Sequence, residues 1–241
     1  MRLKYSYTTR VVFCPEIGQH NFLLRCLPAQ EPFQQLLEQH LLLPGTFWHK
    51  EGRDGYGNRI ISGGTSERHS LFEFESRGVL EMTTYCIPDP LPHPMYRQAM
   101  PLKAAPAERV YDIMHHVHEY LDYCPGSTCV DTPLDEVLRT RRGVCQDFAH
   151  MMIDLCRREG FAARYVCGMM MGEGQTHAWV EVHDGQCWYA YDPTNDTAVA
   201  SGYIKLAHGR SALDCPVCRG TYMGVTTETN YVNVMVDRLA E

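Results

Sequence analysis

Leu3, Tyr5 and Tyr7 alternate with polar neighbours, Phe22, Leu24 and Cys26 repeat the pattern, and Phe72 and Phe74 alternate with Glu73 and Glu75 ahead of a further run from Val79 to Cys86. This two-residue period is that of half-buried strands. Clusters at Asp54-Gly55-Tyr56-Gly57-Asn58 and Ser62-Gly63-Gly64-Thr65-Ser66 break the runs into short lengths, as in an antiparallel sandwich. Residues 1–90 therefore read as an N-terminal β domain, with Phe33 to Leu43 open between strand and helix. Pro88, Pro90, Pro92, Pro94 and Pro101 then exclude regular helix and central strand, which places a linker at 91–101.

From 102 onward the period changes. Val110, Ile113, Met114, Val117, Tyr120 and Leu121 form a helical stripe, and Thr132-Pro133 predicts a second short helix with proline in its first position. Val144, Phe148, Met151, Met152 and Leu155 form another stripe, closed by Arg157-Arg158 and a Gly160 C-cap. Two strands follow, Thr176 to His183 and Gln186 to Asp192, on either side of an Asp184-Gly185 hairpin signal. The whole is an α+β chain, with 102–241 as a core built on a helix packed against an antiparallel sheet.

Cysteine begins that central helix. Cys145 stands in the first turn, where free amides and the positive end of the helix dipole favour thiolate over thiol. A two-residue loop at Asp184-Gly185 would place His177 directly opposite Asp192, with Cβ atoms roughly 4.5–5.5 Å apart. A thiol, an imidazole and a carboxylate are the parts of a nucleophile–base–orienter relay.

Gly143-Val-Cys-Gln-Asp-Phe-Ala-His150, Ala163-Arg-Tyr-Val166, His177-Ala-Trp-Val-Glu-Val182 and Asp192-Pro-Thr-Asn195, four blocks in one order, resemble the bacterial transglutaminase-like superfamily. The likeness is densest from about 130 to 200 and looser over Gly209 to Asp214 and Gly220 to Gly224. It implies a papain-like core with Cys145 as nucleophile, His177 as base and Asp192 as orienter. It also implies an aromatic hydroxyl upstream of the nucleophile as a second oxyanion donor, for which Tyr123 is the candidate, with simple packing as its alternative. His150 and Asp147 match family positions, with helix packing or capping open beside catalysis. The implied activity is cysteine-dependent acyl transfer on a peptide, isopeptide or small amide. The Cys167 to Gln175 stretch, short and rich in Met and Gly, favours water over an amine as acceptor, which predicts a peptidase or amidase rather than a transglutaminase; a non-catalytic binding module is the further alternative.

The composition narrows the rest. A net charge of -7 without a basic stripe argues against nucleic acid. The first residues, Met1 to Ser6, lack the apolar run of a signal peptide, and no stretch approaches the roughly 18 apolar residues of a membrane span, so a soluble cytoplasmic protein without a membrane partner is expected. Eleven cysteines read as buried thiols rather than a disulfide framework. Cys215 and Cys218 have knuckle spacing but no second pair, and His115 and His118 share a helix face without a completing acid, so they read as a thiol pair and a solvated face. No metal and no cofactor is expected.

Overall fold

The computed structural model describes residues 1–96 and 103–240. The first part gives strands β1 (Arg2–Leu24), β2 (Gln34–Leu42), β3 (Trp48–Arg53), β4 (Arg59–Thr65), β5 (His69–Met82) and β6 (Ile87–Pro88). Helix α1 (Ala107–Tyr120), β7 (Asp122–Tyr123), α2 (Leu134–Thr140), β8 (Arg142–Gly143) and α3 (Cys145–Arg158) follow. The chain ends in β9 (Ala163–Met170), β10 (Gly172–Gly174), β11 (His177–His183), β12 (Cys187–Asp192), β13 (Thr197–Ala198), β14 (Tyr203–Gly209), β15 (Cys218–Met223) and β16 (Thr227–Arg238).

Alternation along β1 does what the sequence implies: Leu3, Tyr5, Tyr7, Thr9, Val11 and Phe13 are all buried. The stretch at 33–43 resolves as strand β2, and the run from Phe72 merges with the start of the run from Val79 in the 14-residue β5, which ends at Met82. The expected pair of stacked sheets is instead one continuous eight-stranded sheet. β1 makes this possible because its first half pairs with β5 and β16 and its second half, beyond a register break, pairs with β4 and β15. The sheet curls over its own apolar face, and Tyr5, Tyr7, Phe22, Phe72 and Phe74 fill the concave side.

The expected boundary at 91–101 does not separate the two sheets. Leu3 pairs with Arg238, so the last strand returns to the first sheet, and β10, from the middle of the expected core, adds to the same sheet through Gly172↔Val236 and Gly174↔Val234. Local periodicity carries no information about such distant partners. The proline-rich stretch itself is only partly described: β6 pairs with β12, residues Pro94–Tyr96 form one 3-10 turn, and the expected linker residues 97–101 lie outside the described residues.

The second sheet has the order β13-β12-β11-β9-β14, with β6 beside β12. α3 lies on the face carrying Ala178, Val180 and Val182, where Phe148, Met151 and Met152 are buried with Val110, Ile113 and Val117 of α1. The opposite face carries Trp179, Trp188 and Ile204 and shares its apolar cluster with the curled sheet. At the middle of that junction lies a charged group, Glu181 with Arg164 and Lys205, all nearly inaccessible to solvent. Lys205 also meets Glu31 at 2.9 Å, and the Tyr85 hydroxyl donates to Glu181. Asn58 ties the β unit to β14, donating to the His208 carbonyl at 2.8 Å and accepting the His208 amide at 2.9 Å. This gives the Asp54 to Asn58 turn a structural role.

Helix α2 departs from expectation in one detail. Pro133 occupies the N-cap rather than the first helical position, and the Thr132 hydroxyl accepts the Cys129 amide instead of capping the helix.

Candidate active site

Helix α3 begins where it does because Asp147, three residues beyond the Val144 N-cap, turns back to accept the Val144 amide at 2.8 Å. The same carboxylate accepts the Thr128 hydroxyl at 2.6 Å. This side-chain cap, together with the Asp147 amide donating to the Val144 carbonyl at 2.8 Å, fixes the first helical turn, and Cys145 is its first residue. At the far end Gly160 takes a φ of +89° that favours glycine. His150 does not reach the nucleophile; its Nε2 accepts the Ala212 amide at 3.0 Å. Of the readings open for Asp147 and His150, capping and packing are the ones the geometry shows.

The hairpin carries the general base in a register that differs from the expected one. Asp184 Oδ1 accepts both the Gln186 and the Cys187 amides at 2.8 Å, which lengthens the loop to residues 184–187 and pairs His183 with Trp188. Two residues are therefore added to the turn, and Asp192 comes to lie diagonally from His177 rather than directly opposite. A diagonal neighbour remains within reach of long side chains. His177 Nε2 meets Asp192 Oδ2 at 2.7 Å.

Parity puts His177 on the Trp179 and Glu181 face, away from α3, but His177 is the first residue of β11 and at the strand end it lines the same cleft as Cys145. With Nε2 committed to Asp192, Nδ1 is the ring nitrogen left for the thiol. The close approach of neighbouring strands here depends on Gly168, opposite His177, where a Cβ would stand 2.2 Å from the Ile204 carbonyl oxygen and 2.3 Å from the Trp179 ring.

Asp192 is fully buried and its acceptor capacity is filled. Oδ2 also accepts Asn195 Nδ2 at 2.6 Å and the Tyr203 hydroxyl at 2.9 Å, while Oδ1 accepts the amides of Thr194 at 3.0 Å and Asn195 at 3.3 Å. Burial alone would push this carboxyl up, but these donors, led by His177, hold it below its usual value. Asn195 and Tyr203 were not among the sequence candidates. Asn195 carried a local signal, an Asp-x-x-Asn turn, whereas Tyr203 comes from a different strand. The residues that follow Asp192 are held by α1: His118 Nδ1 donates to the Thr194 carbonyl at 3.1 Å and His115 Nδ1 meets Asp196 at 2.8 Å. The histidine face expected to be solvated thus fastens this loop.

Burial disfavours a charged His177, but the hydrogen bond to Asp192 and the contact with Cys145 outweigh it and raise the imidazole from 6.5 to about 9. The folded value lies above the unfolded one, so the imidazolium–carboxylate pair stabilises the fold fully below about pH 6.5 and is lost as pH rises towards 9. Cys145→Ala removes one of the groups that raise it. The His177 midpoint, followed by ring-proton NMR, is expected to fall in that variant; an unchanged midpoint would mean that thiol and imidazole do not touch.

Tyr123, on β7 beside β8, lines the same cleft as Cys145 and His177, a cavity of about 620 Å³ completed by Pro125, Met170 and Met171. Its hydroxyl proton is held on by partial burial and by the charge of Cys145. The floor of the cleft between Met171 and Gln175 is the short edge strand β10, with Glu173 and two glycines. Cys215 and Cys218 lie elsewhere; burial pushes the Cys218 thiol up to about 12 and Cys215 well above its usual value. Among the described residues no three His, Cys, Asp or Glu side chains are grouped to hold a metal ion, and no helix is long and apolar enough to cross a membrane.

Residues 95–193, which include Cys145, His177 and Asp192, match the model of the transglutaminase-like superfamily. An uncharacterized Mycobacterium leprae protein is 38% identical over 130 residues, covering 50% of this chain and 46% of its own length. An uncharacterized Mycobacterium tuberculosis protein is 36% identical over 146 residues, covering 54% and 46%. The chain thus spans about half the length of these curated relatives. A Cytophaga hutchinsonii crystal structure whose name proposes a cysteine protease superposes with a TM-score of 0.77 at 20% identity, covering 100% of this chain and 93% of that one, so the fold is shared along the full length.

Proposed function

We propose that this transglutaminase-like chain is a cysteine-dependent acyl-transfer enzyme that hydrolyses amide or peptide bonds through a thioester. The observation that carries the reading is the 2.7 Å hydrogen bond from His177 to a buried, donor-saturated Asp192 at the cleft that Cys145 also lines, with the imidazole raised to about 9. That arrangement holds a protonated imidazole in the same cleft as the thiol at neutral pH, in place to give its proton to a leaving group.

The Cys145 sulfur attacks the substrate carbonyl carbon and the C–O double bond opens to an oxyanion. The Cys145 amide, in the first turn of α3, is the first donor to that oxygen in this reading. Tyr123 supplies the second donor in this reading, each donor being worth about 3–4 kcal/mol of barrier. His177 gives its proton to the leaving amine as the C–N bond breaks and the thioester forms. Water then attacks the thioester while His177 accepts its proton, and the carboxylic acid leaves as the thiolate returns.

Amine transfer uses the same thioester and differs only in the acceptor. It needs a site that holds an amine and keeps water out. Met170, Met171, Gly172, Glu173 and Gly174 leave the cleft wall open and low, which supports water. The test supplies a peptide amide with excess lysine-like amine, with Cys145→Ala as the blank, and separates the products by mass spectrometry. Acid is expected to predominate. A majority of amine adduct at millimolar amine would replace hydrolysis by transglutamination, and no acid or adduct from any peptide would remove the enzyme reading.

A further inference from the structure

A second cavity, of about 390 Å³, is lined by residues of both the curled sheet and the catalytic core and shares a lining residue with the cleft. Thr176 lines both, and Gln146, the neighbour of Cys145, lines the second. Its volume lies at the lower end of the roughly 300–1,000 Å³ of small-ligand pockets. We propose that this cavity is the specificity pocket of the cleft, taking an uncharged aromatic or large aliphatic side chain of the substrate next to the scissile bond. The inference rests on the acyl-transfer reading for its substrate.

The chemistry of the walls selects that side chain. Phe13 stands edge-on to Tyr222 at 5.3 Å between ring centroids and to His20 at 5.7 Å, and His20 stands edge-on to Phe72 at 4.9 Å. Tyr7 and Tyr165 add further aromatic surface. Rings arranged this way offer edges and faces to another ring or a branched aliphatic group. Among the described lining residues the only carboxylate is Glu228, which is exposed and accepts the Tyr222 hydroxyl, and no lysine or arginine lines the cavity. His20 adds no positive charge, because burial and His69 beside it lower it to about 4. An acidic side chain would lose its hydration, find no cation among the lining residues and share the cavity with the Glu228 carboxylate. Tyr7, Val11, Phe13 and Phe72 of this wall come from β1 and β5, so the N-terminal β unit would take part in selecting the substrate while the core performs the reaction.

The test measures binding of peptide amides to the Cys145→Ala protein, with Phe, Leu, Ala or Asp placed in turn at each position around the amide. At one position Phe and Leu are expected to bind about tenfold or more tighter than Asp. Val232→Trp, on half-buried β16, narrows the cavity and should erase the preference for Phe while leaving the Ala peptide unchanged. Asn230→Phe, at the exposed end of the wall, is the second variant and should act in the same direction. Equal binding of Asp and Phe at every position, or a loss that is the same for all peptides in both variants, would overturn the pocket. Selective binding without turnover by the unaltered protein would overturn the hydrolase reading and leave the pocket standing.

Discussion

Asp192→Asn is expected to lower turnover by about ten-thousand-fold, the scale set by replacing the orienting acid of a catalytic triad. The reason lies in the donors that surround the carboxylate. Oδ2 accepts from His177, Asn195 and Tyr203, and Oδ1 from two backbone amides. An amide NH₂ at either position faces donors, so no orientation of the substituted side chain satisfies them all, and the charge that keeps the imidazole protonated is gone. Unsatisfied buried donors add a stability cost of roughly 1–3 kcal/mol. The measurement is kcat/KM beside a thermal melt, so that loss of folded protein is separated from loss of function. Turnover close to that of the unaltered protein would mean that a group other than Asp192 orients His177.

The second large effect is on stability. Glu181→Ala leaves Arg164 and Lys205 buried without their shared partner, and breaking a buried ion pair in this way costs about 3–5 kcal/mol. For a chain of this size that is a fall of roughly 6–20 °C in melting temperature. Glu73→Ala is the control, because Arg10 and Glu73 are both about half exposed and such surface pairs contribute about 0–1 kcal/mol. A Glu181→Ala melt indistinguishable from the Glu73→Ala melt would show that the group is not desolvated. Burial would raise the Glu181 carboxyl, but Arg164 and Lys205 hold it far below its ordinary value. With the folded value depressed, its contribution is complete above the unfolded carboxyl range and is lost as pH falls below it.

The elements read well from the sequence were those whose signals are local. The stripe from Phe148 to Met152 and the Gly160 terminator fixed α3, and with it the position of Cys145 at a helix start. The residues His177 and Asp192 were identified as a pair, yet the register offered for them was wrong. Asp184 is the reason: its side chain caps two amides and builds a four-residue loop where Asp-Gly alone suggests two residues. Tyr203 supports Asp192 through a contact that needs the β14–β9–β11 order to be known. Glu181 stood on the His177 face in the expected alternation, but a charged residue in a strand gives no sign that two cations will meet it in the interior. The single curled sheet was invisible for a related reason, since the pairing of Leu3 with Arg238 spans nearly the whole chain.

That last pairing governs the order of assembly. β10, which forms the floor of the cleft beside His177, is held by Val234 to Val236 of β16, and β16 is in turn held by β1. Contacts between such distant segments carry a loop-closure cost before they return any stabilisation, so they form late. During synthesis the floor has no partner strand until residue 236 has left the ribosome. The cleft therefore closes into its working shape only after residue 236 has been made, and a nascent chain that already carries Cys145, His177 and Asp192 lacks the wall against which a substrate would lie.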